Sequence, residues 1–224
     1  MTELTNPHTQ SVKSWLASLG GALEKGDIAG ALALFDDDCY WRDLVSFTWN
    51  IKTMEGKAQI EDMLKATLAG TKPANWQIDG EGADGGGFSE AWFTFETGVS
   101  RGRGLVRLKG DKCWTLLTTM VELKGFEEPK GGARPKGVEH GVQPGRQSWL
   151  EKRQAEEAGF GDTTQPYVLI VGGGQGGIAL GARLRRLGVP TLIVEKNDKP
   201  GDSWRRRYKS LCLHDPVWYD HLPY

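Results

Sequence analysis

Tyr167-Val168-Leu169-Ile170-Val171-Gly172-Gly173-Gly174-Gln175-Gly176-Gly177 is the stretch that decides how the C-terminal part of this chain folds. Its first five residues are apolar and rich in β-formers, a run that suits a buried parallel strand. The next six set Gly172, Gly174 and Gly177 at the three glycine places of G-x-G-x-x-G. The first glycine permits a tight turn. The second lets the backbone approach a diphosphate, and the third lets the following helix lie close on the strand. A helical stretch then runs to Leu187, with Leu180, Leu184 and Leu187 on one face. Gly188 and Pro190 mark its end. Thr191-Leu192-Ile193-Val194 reads as a second buried strand, and Glu195 stands at its C-terminal end.

Each part has a physical reason. A helix N-terminus offers unpaired N–H groups and a partial positive charge, worth roughly 0.3–1 kcal/mol toward an anion. Glu195 lies 18 positions after Gly177, close to the spacing of about 20 at which an acidic residue bonds a ribose hydroxyl. A carboxylate there repels a 2′-phosphate, so the expected ligand is FAD or NAD and not NADP. A lone G-x-G-x-x-G is weak evidence. Here a strand precedes it, a helix follows it, and a second strand brings the acid, which is the start of a Rossmann-type α/β unit. Gly172, Gly173, Gly174, Gln175, Gly176, Gly177 and Glu195 are therefore the expected dinucleotide-binding residues.

Downstream, Gly201-Asp202-Ser203-Trp204-Arg205-Arg206-Arg207-Tyr208 resembles the segment that follows the FAD-binding acid in the flavin-containing monooxygenase superfamily. That segment has a Gly-Gly-x-Trp-like pattern, and Asp202 here replaces its second glycine. Leu213-His214-Asp215-Pro216 stands where the family has a segment near the flavin. The resemblance runs from about residue 166 to the end. It implies FAD as cofactor with Trp204 near the flavin, and NADPH as reductant. It also implies transfer of one oxygen atom from O2 to nitrogen, sulfur or a ketone of a small substrate. The flavin does that chemistry, so no catalytic side chain is named. Disulfide reductases carry paired redox cysteines in this region; only Cys212 is present, which removes that alternative. Two strands make an unfinished parallel sheet, and the resemblance implies a second glycine fingerprint for NADPH. The expectation is thus an N-terminal fragment, with an incomplete FAD-binding domain, that does not turn over NADPH alone.

Residues 1–124 read differently. Trp15, Trp41, Trp49, Trp76, Trp92 and Trp114 all fall here, enough for an aromatic core. Helices are expected over 11–23, ending at Gly20-Gly21, then over 27–35 and 56–68. Strands are expected over 39–44, 75–79, 89–96, 104–109 and 112–123, the last covered on both faces. Helices followed by strands imply an α+β fold with the helices on one face of a curved antiparallel sheet. This order, with the 34–43 transition and the Gly56-Lys57-Ala58-Gln59-Ile60 helix start, resembles the NTF2-like (SnoaL-like) cone fold. The resemblance implies a cone mouth able to hold a small apolar ligand. Two other readings follow from it: a non-catalytic protein that binds a small ligand or dimerises through the cone, or a lyase or isomerase using Asp43. Asp38 and Asp43 are the acid–base candidates. Against them, Asp36, Asp37 and Asp38 read as a solvated turn, and Asp43 as paired with Arg42 or Arg101. Trp41, Trp49, Trp92 and Phe95 read as core before ligand cage.

Residues 125–165, rich in Pro, Gly and charge, read as a linker holding one short helix over 148–158, capped by Ser148 with Glu151 as its partner. Arg205, Arg206 and Arg207 read as a solvated basic turn, and Arg183, Arg185 and Arg186 as the exposed side of their helix. His221 receives no role. Of the 224 residues 38% are hydrophobic and 25% charged, with a formal net charge of −1. That balance gives no electrostatic case for nucleic acid or a membrane surface. Cys39, Cys113 and Cys212 form no CxxC pair, and no metal site is read. With no signal-like N-terminus and no apolar run near 18 residues, the expected location is the cytoplasm.

Overall fold

A computed structural model describes residues 6–134, 141–212, 214–216 and 218–219. It divides into two units, Met1–Glu127 and Glu128–Tyr224. In the first, α1 spans Pro7–Glu24 and starts at Asn6, whose side chain accepts from the His8 amide. Val12, Trp15, Leu16, Leu19 and Leu23 form its buried stripe. The helix does not stop at Gly20-Gly21 as the sequence suggested. A Cβ on Gly20 would stand 2.9 Å from Cδ1 of Trp76, so the glycine permits close packing and not a stop. The short helix α2 (Ile28–Ala33) is capped by Asp27.

Strands β1 (Phe35–Leu44) and β2 (Ile51–Glu55) precede α3 (Gly56–Thr71). Then come β3 (Ala74–Ile78), β4 (Ala83–Asp84), β5 (Ser89–Glu96), β6 (Ser100–Lys109) and β7 (Lys112–Leu123). Their order is β2-β1-β7-β6-β5-β3, with β4 paired to β5. One expectation is overturned here: the sheet is mixed, because β1 runs parallel to β7, with Trp41 opposite Leu116 and Asp43 opposite Thr118. Chain-local patterning cannot show that pairing. Register shifts in the β1–β7, β3–β5 and β6–β7 pairs bend and twist the strands locally. Asp36, Asp37 and Asp38 belong to β1 and not to a free turn, although Asp37 and Asp38 are exposed.

The core lies between the sheet and the helices. Rings run in contact from Trp15 through Phe35, Trp41 and Phe47 to Phe95, Trp76 and Phe93. Successive centroids lie 4.9–6.2 Å apart. Two hollows open from this unit. One of about 620 Å³ is lined by Leu23, Ile28, Leu64, Leu68 and Lys72, and one of about 530 Å³ by Gln77, Phe95, Arg101 and Arg103. Nor is β7 covered on both faces, since Val121 is 54% exposed.

In the second unit, α4 (Trp149–Gly159) carries the expected capping box. The Ser148 side chain accepts from the Glu151 amide, and the Glu151 carboxylate accepts from the Ser148 amide. Strand β8 (Val168–Val171) leads through the glycine turn into α5 (Gln175–Arg186), and β9 (Thr191–Val194) pairs with β8 in parallel. α6 (Asp202–Arg205) closes the described elements. No helix among the described residues is long and apolar enough to cross a membrane. Leu213 and His221, and residues 135–140 of the linker reading, lie outside the described residues.

Gly104 tests the packing of the first unit. A Cβ there would collide with the Leu117 carbonyl oxygen and the Phe93 ring. Gly104→Ala should therefore cost the unit about 1–3 kcal/mol of stability, read as a lower urea midpoint at unchanged slope. A wild-type midpoint would contradict this packing.

Candidate dinucleotide site

The site begins at the end of β8, where the backbone must reverse within a few residues. Gly172 takes φ +109, a conformation open to glycine and strained for other residues. Gly174 is the N-cap of α5 and gives it no side-chain cap. The first turn of α5 therefore keeps its amides unclaimed by any capping side chain, which is the electrostatic condition for an anion site. The close approach comes from Gly177: a Cβ there would collide with the Gly172 carbonyl oxygen and stand 3.3 Å from Cγ2 of Ile170. One turn on, a Cβ at Gly181 would lie 2.6 Å from Cδ1 of Ile193. Glycines on one face thus seat α5 on both strands.

The expected helix stop is also present. The Gly188 amide donates to the Arg185 carbonyl at 3.0 Å and the Val189 amide to the Leu184 carbonyl at 2.9 Å, which is a Schellman ending. Leu180 does not join the packed face; it is exposed. The expectation of strands buried on both sides fails as well. Ile170 packs under α5, but Leu169 and Val171 on β8 are 57% and 84% exposed, as are Leu192 and Val194 on β9 in part. The apolar run is common to both faces of the pair, and only the face under α5, with Ile170, is buried.

Glu195 follows β9 directly and points back at the glycine turn. Its Oε2 accepts from the Gly173 amide at 2.6 Å, and its Oε1 accepts from the amide and side-chain Nδ2 of Asn197 at 2.9 and 2.7 Å. The Asn197 amide first, then the Gly173 amide, hold the carboxyl below its ordinary range, against a smaller opposing effect of burial. The group is therefore an anionic acceptor at neutral pH. Its contribution to stability is complete above the ordinary carboxylate range and is lost as pH falls through the lowered value.

Gly173 is held from both sides, because its carbonyl accepts from the Gly201 amide at 2.8 Å. That bond brings the start of α6 to the turn, and Ser203 Oγ would stand 3.6 Å from a Cβ on Gly174. Trp204 sits on this short helix, partly exposed, with the Arg207 guanidinium 4.8 Å above its ring. The arginines are engaged beyond what the sequence suggested. Asp202, nearly buried, pairs with Arg205 at 2.9 Å and Arg206 at 3.4 Å, and Arg206 also reaches Asp198 at 2.8 Å. Arg183 and Arg186 both pair with Glu128. These contacts staple the unit together.

The acid–base candidates of the first unit, Asp38 and Asp43, differ in burial and bonding. Asp43 is fully buried and pairs with neither Arg42 nor Arg101. Its Oδ1 accepts from the Ser46 amide at 3.2 Å and the Thr118 hydroxyl at 2.8 Å. Its Oδ2 accepts from the Phe47 and Thr48 amides and the Thr48 hydroxyl at 2.8–3.0 Å. Thr118 in turn accepts from the Trp41 indole at 2.9 Å. With five donors on two oxygens, Asp43 pins a turn in which Val45 and Trp49 hold positive φ. Asp38 is exposed on β1. Trp41 and Phe95 are core, whereas Trp49 and Trp92 are exposed.

Gly80, Gly82 and Gly85 repeat the glycine spacing of the fingerprint, yet they lie between β3 and β5. There the Gly82 amide donates to Thr9 and its carbonyl accepts from Asn6, and no helix follows. Spacing without the strand and the helix makes no cradle.

Residues 170–221 match the family of NAD(P)-binding Rossmann-like domains. Over 56 residues the chain is 43% identical to an uncharacterized CzcO-like oxidoreductase of Geobacillus kaustophilus, spanning 25% of this chain and 16% of that protein. Over 63 residues it is 40% identical to indole-3-pyruvate monooxygenase YUCCA1 of Oryza sativa subsp. japonica, spanning 28% and 16%. The chain thus spans about one sixth of the length of these relatives, and its C-terminal segment is related to oxidoreductases. Among solved structures, a ketosteroid isomerase-like protein from Erwinia carotovora atroseptica aligns at TM-score 0.43 and 11% identity. It covers 52% of this chain and 98% of its own.

Gly177→Ala should force α5 off the turn. The expected result is faster amide exchange across 172–181 and loss of dinucleotide binding, with the melting of the first unit unchanged. Wild-type exchange in the variant would show that the close approach does not matter.

Proposed function

We propose that this chain carries the FAD-binding start of a FAD- and NADPH-dependent monooxygenase that inserts one oxygen atom into a small organic substrate. The observation that supports it is the glycine turn facing Glu195: amides of the first turn of α5 on one side, a carboxylate on the other. Gly173, Gly174, Gln175, Gly176 and Gly177 would receive the diphosphate, with Gly172 shaping the turn, while Glu195 would accept from the adenosine ribose hydroxyls. The open space beside Gly176, where a Cβ would meet nothing within 4 Å, fits such a ligand. A 2′-phosphate would meet the Glu195 charge, which favours FAD or NAD over NADP here. The oxidoreductase and monooxygenase names of the relatives, with Trp204 on a helix tied to the turn, favour FAD.

FAD, when bound, supplies two-electron redox chemistry and the activation of O2. This chain's residues bind and orient. With FAD bound, the α5 N-terminus would neutralise part of the diphosphate charge, Glu195 would accept from the ribose, and Trp204, on the helix tied to the turn, would be the residue of this segment nearest the flavin by family resemblance.

Purified chain titrated with FAD should show saturable binding that ADP competes for, and NADP should bind at least tenfold more weakly. Gly174→Val should abolish this binding and Asp43→Asn should leave it intact; the reverse pattern would favour a site in the first unit. The family reduces its flavin with NADPH held at a second glycine fingerprint, so the expected outcome for this chain is FAD binding without NADPH oxidation.

A second role is favoured for the first unit by one observation. Its sheet face away from the helices leaves Trp92 and Val121 substantially exposed, which suits a homodimer. Sedimentation should give a dimer that Val121→Glu dissociates; a monomeric wild-type chain would contradict this.

A further inference from the structure

Asn197 is two residues past the expected ribose-binding acid, in a stretch whose composition, Asn197-Asp198-Lys199-Pro200-Gly201, reads as a turn. The structure gives it more to do. Its amide and its side chain both donate to one oxygen of Glu195, so the other oxygen is the one turned to the Gly173 amide. The Asn197 side chain is itself fixed, since its Oδ1 accepts from Nη1 of Arg206 at 3.2 Å. Arg206 is braced through Nη2 against Asp198 at 2.8 Å and Asp202 at 3.4 Å. Asp202 is nearly buried and is locked a second time by Arg205, whose Nη1 also donates to the Pro200 carbonyl at 2.7 Å. A continuous series of polar contacts thus runs from α6 through Arg206 and Asn197 to Glu195, and from there to the glycine turn.

Such a series fixes orientation. A carboxylate on a flexible stem can present either oxygen in several directions. Two donors on Oε1 leave Oε2 aimed across the mouth, and a ligand then meets an acceptor already in place. Resting on the reading of Glu195 as the ribose acceptor, we propose that Asn197, held by Arg206, is the positioning residue that aims Glu195 into the dinucleotide site. The residue that departs from the glycine of the family pattern, Asp202, anchors this arrangement. Its place on α6 gives Arg206 its buried counter-charge.

The test is a double-mutant cycle on the 224-residue chain with FAD as probe. Asn197→Ala should weaken FAD binding about tenfold, the scale of a lost hydrogen bond to a charged group. Arg206→Lys keeps the charge, loses the planar fork, and should weaken it in the same direction by less. In a Glu195→Gln background Asn197→Ala should have little further effect, because a residue that acts through Glu195 has nothing left to aim. A second readout needs no ligand. The charged groups around Glu195 are Lys196, Asp198, Asp202 and Arg206, and the turn opposite, 172–177, holds glycines and Gln175. With those unchanged, the Glu195 carboxyl titration followed by NMR should move to higher pH in Asn197→Ala. Equal losses in both backgrounds, or an unmoved titration, would overturn the positioning role while wild-type FAD binding left the proposed function standing. A wild-type chain that binds no FAD would overturn both.

Discussion

The second unit depends on one close approach. Strand β8 can hand the chain directly to α5 only because Gly177 lets the helix backbone come against the carbonyl of Gly172. Add a methyl group there and the helix must lift. Its first amides would then no longer face the mouth, and the field that favours an anion would point elsewhere. Everything assigned to the site inherits this geometry: the positive φ of Gly172, the bare N-cap at Gly174, and the bond from the Gly173 amide to Glu195. Gly80, Gly82 and Gly85 have the same spacing in this chain, but β4 lies among them and β5 follows where a helix would be needed, so their close contacts are with the start of α1 and with Phe88.

The two units solve the problem of buried polarity in opposite ways. In the first, Asp43 is surrounded by donors from its own turn and from Thr118, so its oxygens are consumed in holding strained backbone beneath a core of rings. Those five bonds give the carboxyl group a structural role in this turn. In the second, Glu195 is engaged on one oxygen by Asn197 and on the other by a single backbone amide at the edge of an open turn.

Local signals made much of this legible in the sequence. The glycine fingerprint, the Gly188 stop, the Ser148–Glu151 capping box and the bounds of β5 and β7 each depend on residues within a few positions of one another. What stayed hidden depends on partners far along the chain. The parallel pairing of β1 with β7 joins residues about 75 apart, and nothing in either strand announces it. Gly20 reads as a helix end until Trp76 is placed beside it. β2, spanning Ile51–Glu55, carries no clean alternation. The run Arg205-Arg206-Arg207 reads as solvated charge because its meaning lies in Asp198, Asn197 and the nearly buried Asp202. Glu195 was found by its distance from the fingerprint, whereas the residues that aim it were not, since hydrogen-bond networks carry no fixed spacing.

The account stands on the backbone amides of the glycine turn meeting a diphosphate, and those amides can be watched directly. A 15N–1H NMR titration of the chain with ADP should move the amide signals of Gly173 through Gly177 in a saturable way, with Ile193 to Asn197 following and signals from Pro7–Leu123 unmoved. If ADP leaves the 173–177 amides unchanged, or perturbs the first unit in their place, the diphosphate reading of this turn is wrong.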